Sequence, residues 1–347
     1  MSDQELAALD ATIAEHRAKR AADPDALFPE LADALMGRAG HLADHGDHDG
    51  ALDAALEGVA HFRLLHQVDP GVFAIHLASA LNNLSNRLSD LGRDDEARAA
   101  GDEAIRLARG EIDSQPDQAR FVMISALLNQ SGRAWRAGQA LQALGEMKDA
   151  VEVFQDGGEA MGPFMGVMVD ALHRNGLALA EAGRWEEAIM VRRMVADLFP
   201  KGEVPLPVHH LLGLTLQQAA FAKSRAGQPG EALPLVEEAA ELARGLVDAV
   251  PDQYRLYLAQ SLGNLASRQH EAGANAEALE SAIAAVNSFQ EAAQSQPGEA
   301  LAPLVTTLDT FIAVLMALGH ADQAETIIAQ RDHLMEVLAE VRGGDHD

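Results

Sequence analysis

Cysteine is missing from the sequence altogether, which excludes disulfides, thiolate-held zinc and cysteine nucleophiles. Aromatic residues are scarce too, at 4%, and the 48% hydrophobic content rests on Ala and Leu rather than on the β-branched and aromatic residues that sheets favour. An all-α fold is therefore expected. Positive charge is in deficit: 26 Lys and Arg face 53 Asp and Glu, so the net charge is 26 − 53 = −27. That field repels phosphate backbones and anionic lipid surfaces, so neither nucleic acid nor membrane is an expected partner. No hydrophobic run reads as a membrane span, and the opening residues carry neither a basic start nor an apolar stretch, so a cytoplasmic location is expected. Phosphate-binding glycine loops, nucleophile elbows and zinc-protease motifs are lacking as well. Acidic residues recur at intervals instead of converging, and the expectation is a non-enzyme that needs no cofactor.

What the sequence does have is a period. A Gly followed five residues later by an Ala recurs at Gly46/Ala51, Gly92/Ala97, Gly138/Ala143, Gly183/Ala188, Gly227/Ala232, Gly273/Ala278 and Gly319/Ala324, with glycine spacings of 46, 46, 45, 44, 46 and 46. Eleven residues before each glycine stands a Leu: Leu35, Leu81, Leu127, Leu172, Leu216, Leu262 and Leu308. Prolines fall into the same series at Pro70, Pro116, Pro207, Pro251 and Pro297, with Pro163 one position late and Pro24 at the head. Block copying is visible too, since Leu107–Gly110 with Asp113 and Pro116–Gln118 returns as Leu242–Gly245 with Asp248 and Pro251–Gln253. At 347 residues the chain is too long for one ordinary core, and a repeat array satisfies that length.

Within a unit, positions such as Leu81, Leu84, Ser85 and Leu88 follow the i, i+3, i+4, i+7 spacing of one helix face, which defines a helix A. The glycine ends it in a left-handed cap, and Asp49, Asp95 and Asp322 are placed to cap the helix B that follows. The recurring Ala lets two helices approach closely, and the later Pro ends helix B. Such hairpins cannot bury their faces alone, which is why they come in stacks. The expected organisation is one helix at 3–22, then repeats at about 25–69, 70–115, 116–162, 163–206, 207–250, 251–296 and 297–342, and a flexible tail at 343–347, all in one array.

These residues resemble the tetratricopeptide repeat family. Leu81 to Ser85 with Gly92, Ala97 and Ala104 follows its order of large, large, small, Gly, Ala, Ala, and Leu262 to Ala266 with Gly273, Ala278 and Ala285 follows it again. The usual unit of that family is 34 residues, whereas these run 44 to 46, as in long-unit bacterial members. The extra residues are expected to lengthen helix B and its turn. Lys223 and Gln269 stand where large packing residues are expected, so their repeats should pack less regularly.

The resemblance implies a right-handed superhelix, and a concave groove lined by helix A. Carried over repeat by repeat, the groove positions include Asn82, Asn86 and Asp90 in the second repeat and Leu128, Trp135 and Arg136 in the third. His173 follows from the fourth, Gln217, Phe221 and Arg225 from the fifth, and His270 from the sixth. Asn and Gln suit peptide backbone groups, and Trp135 and Phe221 give an apolar centre unless they only fill gaps between repeats. With only Arg136 and Arg225 in these columns, a basic clamp is not evident and the partner is expected not to be strongly acidic. The pairs Asn83/Arg87, Asn129/Arg133 and Asn264/Arg268 read as repeat-stabilising.

Two junctions, 155–165 and 199–207, break the rhythm with glycines, prolines and methionines, and they read either as adaptable binding surface or as turn variants. The cluster His41, His45, His48 lies at an ordinary turn, and as a calcium loop it fails because His45 and Leu56 stand where carboxylates belong, so no metal is assigned. The expected function is a non-catalytic scaffold or adaptor that binds a protein or peptide. The alternative is a regulatory sensor that closes on a small ligand. An apolar stripe on the last helix, Ile327, Ile328, Leu334, Val337 and Leu338, has no repeat after it and offers a surface for a homodimer.

Overall fold

The computed structural model describes residues 3–23 and 26–344, and Pro24 and residues 345–347 fall outside the described residues. Fifteen helices follow one another in tandem, with no strand among the described residues. They are α1 (Asp3–Ala22), α2 (Pro29–Asp44), α3 (His48–Val68), α4 (Pro70–Asp90), α5 (Asp94–Gly110), α6 (Pro116–Arg136), α7 (Ala140–Asp156), α8 (Met165–Glu181), α9 (Trp185–Asp197), α10 (Leu206–Arg225), α11 (Pro229–Ala249), α12 (Pro251–Glu271), α13 (Asn275–Ala292), α14 (Pro297–Ala317) and α15 (Ala321–Gly344). A 3-10 segment, Gly158–Phe164, precedes α8. The chain divides into two compact units, Met1–Leu172 and His173–Asp347.

Every hairpin closes in the same way. At the second, the Gly92 N–H donates to Ser89 O (3.0 Å) and the Arg93 N–H to Leu88 O (2.9 Å), the crossed pair that satisfies the last carbonyls of a helix. This crossing needs a left-handed residue, and Gly92 supplies it at φ 71°. The six other period glycines also have positive φ. The next helix is not capped as expected. Asp47, not Asp49, caps α3 through the Gly50 N–H (2.9 Å), whereas Asp49 and Asp95 sit inside the first turn of their helices. There, as at Asp322, a carboxylate complements the positive end of the helix instead of bonding to it.

The period residues are the core. All seven alanines are fully buried, from Ala51 to Ala324, and none of the seven leucines is more than 6% exposed. The added length of each unit, however, lies in helix A as much as in helix B. Helices α4, α6, α12 and α14 each run 21 residues from a Pro at their first position, because a residue with fixed φ and no N–H suits the first turn of a helix. Lys223 meets its packing position by sending its ammonium out to Glu186 (2.6 Å) and Glu231 (2.7 Å), while Gln269 stays buried.

In the first unit each helix packs on its neighbour, and α2, α4 and α6 form a row. Ion pairs tie the helices of the other row: Arg17 on α1 to Glu57 on α3, and Arg63 on α3 to Glu103 on α5 (2.6 Å). In the second unit α10, α12 and α14 form the corresponding row, and Arg193 on α9 ties to Glu238 on α11 (2.7 Å). One helix overturns the expectation about hydrophobic runs. Gly298–Ala317 of α14 spans 20 residues at mean hydropathy 1.8 and is long and apolar enough to cross a membrane, with 33% of it buried against the protein. It packs against α12, α13 and α15 as a member of the repeat row. Helix α15 keeps its stripe half-buried and continues to Gly344, so residues 343 and 344 of the expected tail are helical.

Candidate functional site

The groove positions fall into two separate places, one in each unit. In the first unit Asn86, Asp90, Leu128 and Arg136 come together in a pocket of about 300 Å³ between α4 and α6. Arg87, Ser89, Asn129, Gly132 and Arg133 complete its lining. Asn82 lies deeper on α4, buried, and accepts a hydrogen bond from Asn129 Nδ2 (3.2 Å). Its amide oxygen thus serves to couple neighbouring repeats. Trp135 does not line the pocket and is partly buried on α6.

The three guanidiniums of this pocket differ in their partners. Arg87 lies 3.4 Å from Asp90, and Arg136 donates to Ser89 Oγ (2.9 Å). Arg133 is 7% exposed, and its Nη2 has no hydrogen-bond partner. Burial lowers its pKa, the like charges of Arg98 and Arg136 lower it further, and the carboxylates of Glu146 and Asp94 oppose the shift. Nearby, Arg98 is held instead by Glu146 (3.0 Å), which also accepts from Gln142 (3.0 Å). A basic cluster is therefore present where none was evident in the sequence. The expected columns missed it because Arg87 and Arg133 stand five residues before their glycines, a position assigned to repeat stabilisation. The signal was the recurrence of Arg in that column, at Arg87, Arg133 and Arg268.

In the second unit Gln217 and Phe221 sit at the centre of the lining of two adjoining hollows. Asn264 and Arg268 also line both; the first hollow, of about 440 Å³, adds Trp185 and Val236, and the second, of about 390 Å³, adds Gln260, Ser267, Thr306 and Thr310. Phe221 is 58% exposed, so it faces open space and does not fill a gap between repeats. Arg225 lies over its ring at 5.8 Å from the centroid. Gln217 donates to Ser261 Oγ (2.7 Å) and accepts from Asn264 Nδ2 (2.8 Å), so it too couples α10 to α12. His173 and His270 lie outside both hollows. His173 Nδ1 accepts from Arg192 Nη1 (2.7 Å), and His270 Nδ1 donates to Asn275 Oδ1 (2.7 Å).

The Asn/Arg pairs four residues apart do not bond to each other. Asn129 and Asn264 reach across to the preceding repeat, while Arg87 and Arg268 pair with carboxylates three residues on, Asp90 and Glu271. At the His41 turn the two rings stack at 4.1 Å, and His45 Nδ1 donates to His41 O (2.8 Å), an arrangement of ring packing and backbone capping.

Residues 77–110 match the tetratricopeptide repeat family. No curated protein sequence matches the chain. Among solved structures, the chain is similar to BtubC (BKLC) from P. vanneervenii at 16% identity and a TM-score of 0.42, covering 70% of this chain and 91% of that one. It is similar to aspartyl phosphate phosphatase F from Bacillus subtilis at 12% identity and a TM-score of 0.40, covering 88% of this chain and 71% of that one. A signal transduction ATPase with numerous domains and a tetratricopeptide repeat sensor, from Pyrococcus horikoshii, is similar at 13% identity and a TM-score of 0.38. That match covers 90% of this chain and 44% of the longer protein.

Proposed function

We propose that this tetratricopeptide repeat protein, whose family match lies at residues 77–110, is a non-catalytic scaffold that binds a peptide segment or a partner domain along its helix A rows. The observation that carries this reading is Phe221. A large aromatic ring, 58% exposed, stands between two hollows whose walls mix apolar side chains with amides and hydroxyls. An exposed aromatic anchor beside a pocket is the usual centre of a protein-binding surface, because it buries much area at little cost in side-chain entropy. Neighbouring Gln260 and Thr306 supply polar groups to a peptide backbone, and Gln217 and Asn264 hold the wall rigid through their bonds to each other.

The test is affinity capture from native lysate with the parent chain and with Phe221→Ala, the retained proteins being identified by mass spectrometry. A protein held by the parent and lost by the variant, at equal helicity, supports the groove. Equal recovery by both, or recovery of nothing specific, moves the weight to the small-ligand sensor. We place a second copy of the chain on the half-buried stripe of α15, and a monomeric mass by sedimentation at high concentration would sink that placement.

A further inference from the structure

The pocket between α4 and α6 gathers positive charge within a strongly acidic chain. Its lining carries three guanidiniums, Arg87, Arg133 and Arg136, against one carboxylate, Asp90, which leaves 3 − 1 = 2 positive charges. Among the described residues no carboxylate lies within ion-pairing distance of Arg133 or Arg136. Arg133 is the informative member. A nine-tenths buried charge is costly unless it is paired, and the two carboxylates that favour its charged form, Glu146 and Asp94, make no ion pair with it. Around the cations stand the amides of Asn86 and Asn129, which can donate hydrogen bonds, while the Ser89 hydroxyl is directed at Asp94 Oδ1 (3.5 Å). Planar guanidinium forks suit the oxygens of a tetrahedral anion, and an excess of two positive charges in the lining matches a dianion better than a single carboxylate.

We propose that this pocket binds a phosphate dianion, presented as a phosphomonoester or as free phosphate, with Arg136 and Arg87 at its mouth and Arg133 at its wall. The acidity of the chain does not oppose this at close range, since charges beyond about 8 Å are largely screened at physiological salt. The assignment stands apart from the protein-partner reading, because inorganic phosphate alone tests it.

The full-length chain is titrated calorimetrically with inorganic phosphate in chloride buffer, with acetate at matched ionic strength as the control. One site per chain for phosphate and none for acetate is expected. Affinity should fall at least tenfold in Arg136→Gln and in Arg87→Gln, neither of which removes a core side chain, with helical circular dichroism equal to the parent. A short phosphoserine peptide then separates the sources. Binding at least tenfold tighter than inorganic phosphate assigns the group to a phosphorylated partner segment, and equal or weaker binding assigns it to a small phosphate. Phosphate binding that is absent, matched by acetate, or unchanged in both variants overturns the assignment.

Discussion

The two units use one frame to make opposite surfaces. Between α4 and α6 the open face is cationic and polar, with Arg87, Arg133 and Arg136 around about 300 Å³; between α10 and α12 it is built on Phe221 and Trp185 around about 440 Å³. Yet Leu81 and Leu216, Ala97 and Ala232, Gly92 and Gly227 hold the same places in both. Positions that set the hairpin are spent inward, so the columns beside them can diverge without disturbing the backbone. A repeat array can thus carry different recognition chemistry on successive hairpins while its core stays the same.

The most direct attempt to break this comparison is to empty the shared frame. Leu81→Ala and Leu216→Ala, each removing a fully buried side chain, should each cost about 2–5 kcal/mol, measured by urea denaturation. If one unit lost much less than the other, the frames would not be equivalent. A finer contrast lies in two helical glycines that give room to a neighbour. A Cβ on Gly213 would stand 2.1 Å from Tyr257 Oη, the end of a rigid buried ring, whereas on Gly101 it would meet Gln130 Nε2 at 2.7 Å, the tip of a flexible side chain. Gly213→Ala should therefore destabilise by about 1–3 kcal/mol. Gly101→Ala should be the milder of the two in the same thermal melt, because Gln130 can swing aside.

Acid should act on both units through one histidine in each. Burial lowers the pKa of His61, helped by the Arg20 charge, and burial alone lowers that of His210, which packs against Tyr254 and Tyr257. Above the ordinary value of about 6.5 both are neutral in either state, and the full stability is present. As pH falls below it the unfolded chain takes up protons that the folded chain refuses, so stability is lost on acidification. His61→Gln should flatten that loss, seen as a smaller drop in melting temperature between pH 7.5 and 5.5. An unchanged drop would place the acid sensitivity elsewhere. The smallest effect should come from the surface straps. Arg63→Ala breaks the pair with Glu103 at a cost below about 1 kcal/mol, and less at high salt.

What was legible in the sequence was whatever repeats for a backbone reason. The glycine turns, the buried Ala and Leu and the fifteen helices follow from spacing alone, because φ sign, closeness of approach and face periodicity each demand a residue type. The starting point of helix A was less legible, since Pro70 and its equivalents read as stops for one helix when they also open the next. The candidate site was read in part. Asn86, Asp90, Leu128 and Arg136 meet, as do Gln217 and Phe221, but His173 and His270 turn to neighbouring side chains. Arg133 was passed over because whether a long side chain couples repeats or faces an open pocket depends on its rotamer and its neighbours' bonds. Neither is written in a spacing.

The seven turn glycines share one more property: a Cβ at Gly46, Gly92, Gly138, Gly183, Gly227, Gly273 or Gly319 would meet nothing within 4 Å. An L-alanine there therefore meets no steric block, and the left-handed backbone alone opposes it. Its cost should be about 1–2 kcal/mol. A D-alanine introduced at Gly92 by chemical ligation favours the left-handed backbone, so it should recover the stability that L-alanine loses there, measured in the same thermal melt, and it also narrows the freedom of the unfolded chain. The punctuation of this protein is written in handedness, and a mirror-image residue would spell it as well as glycine does.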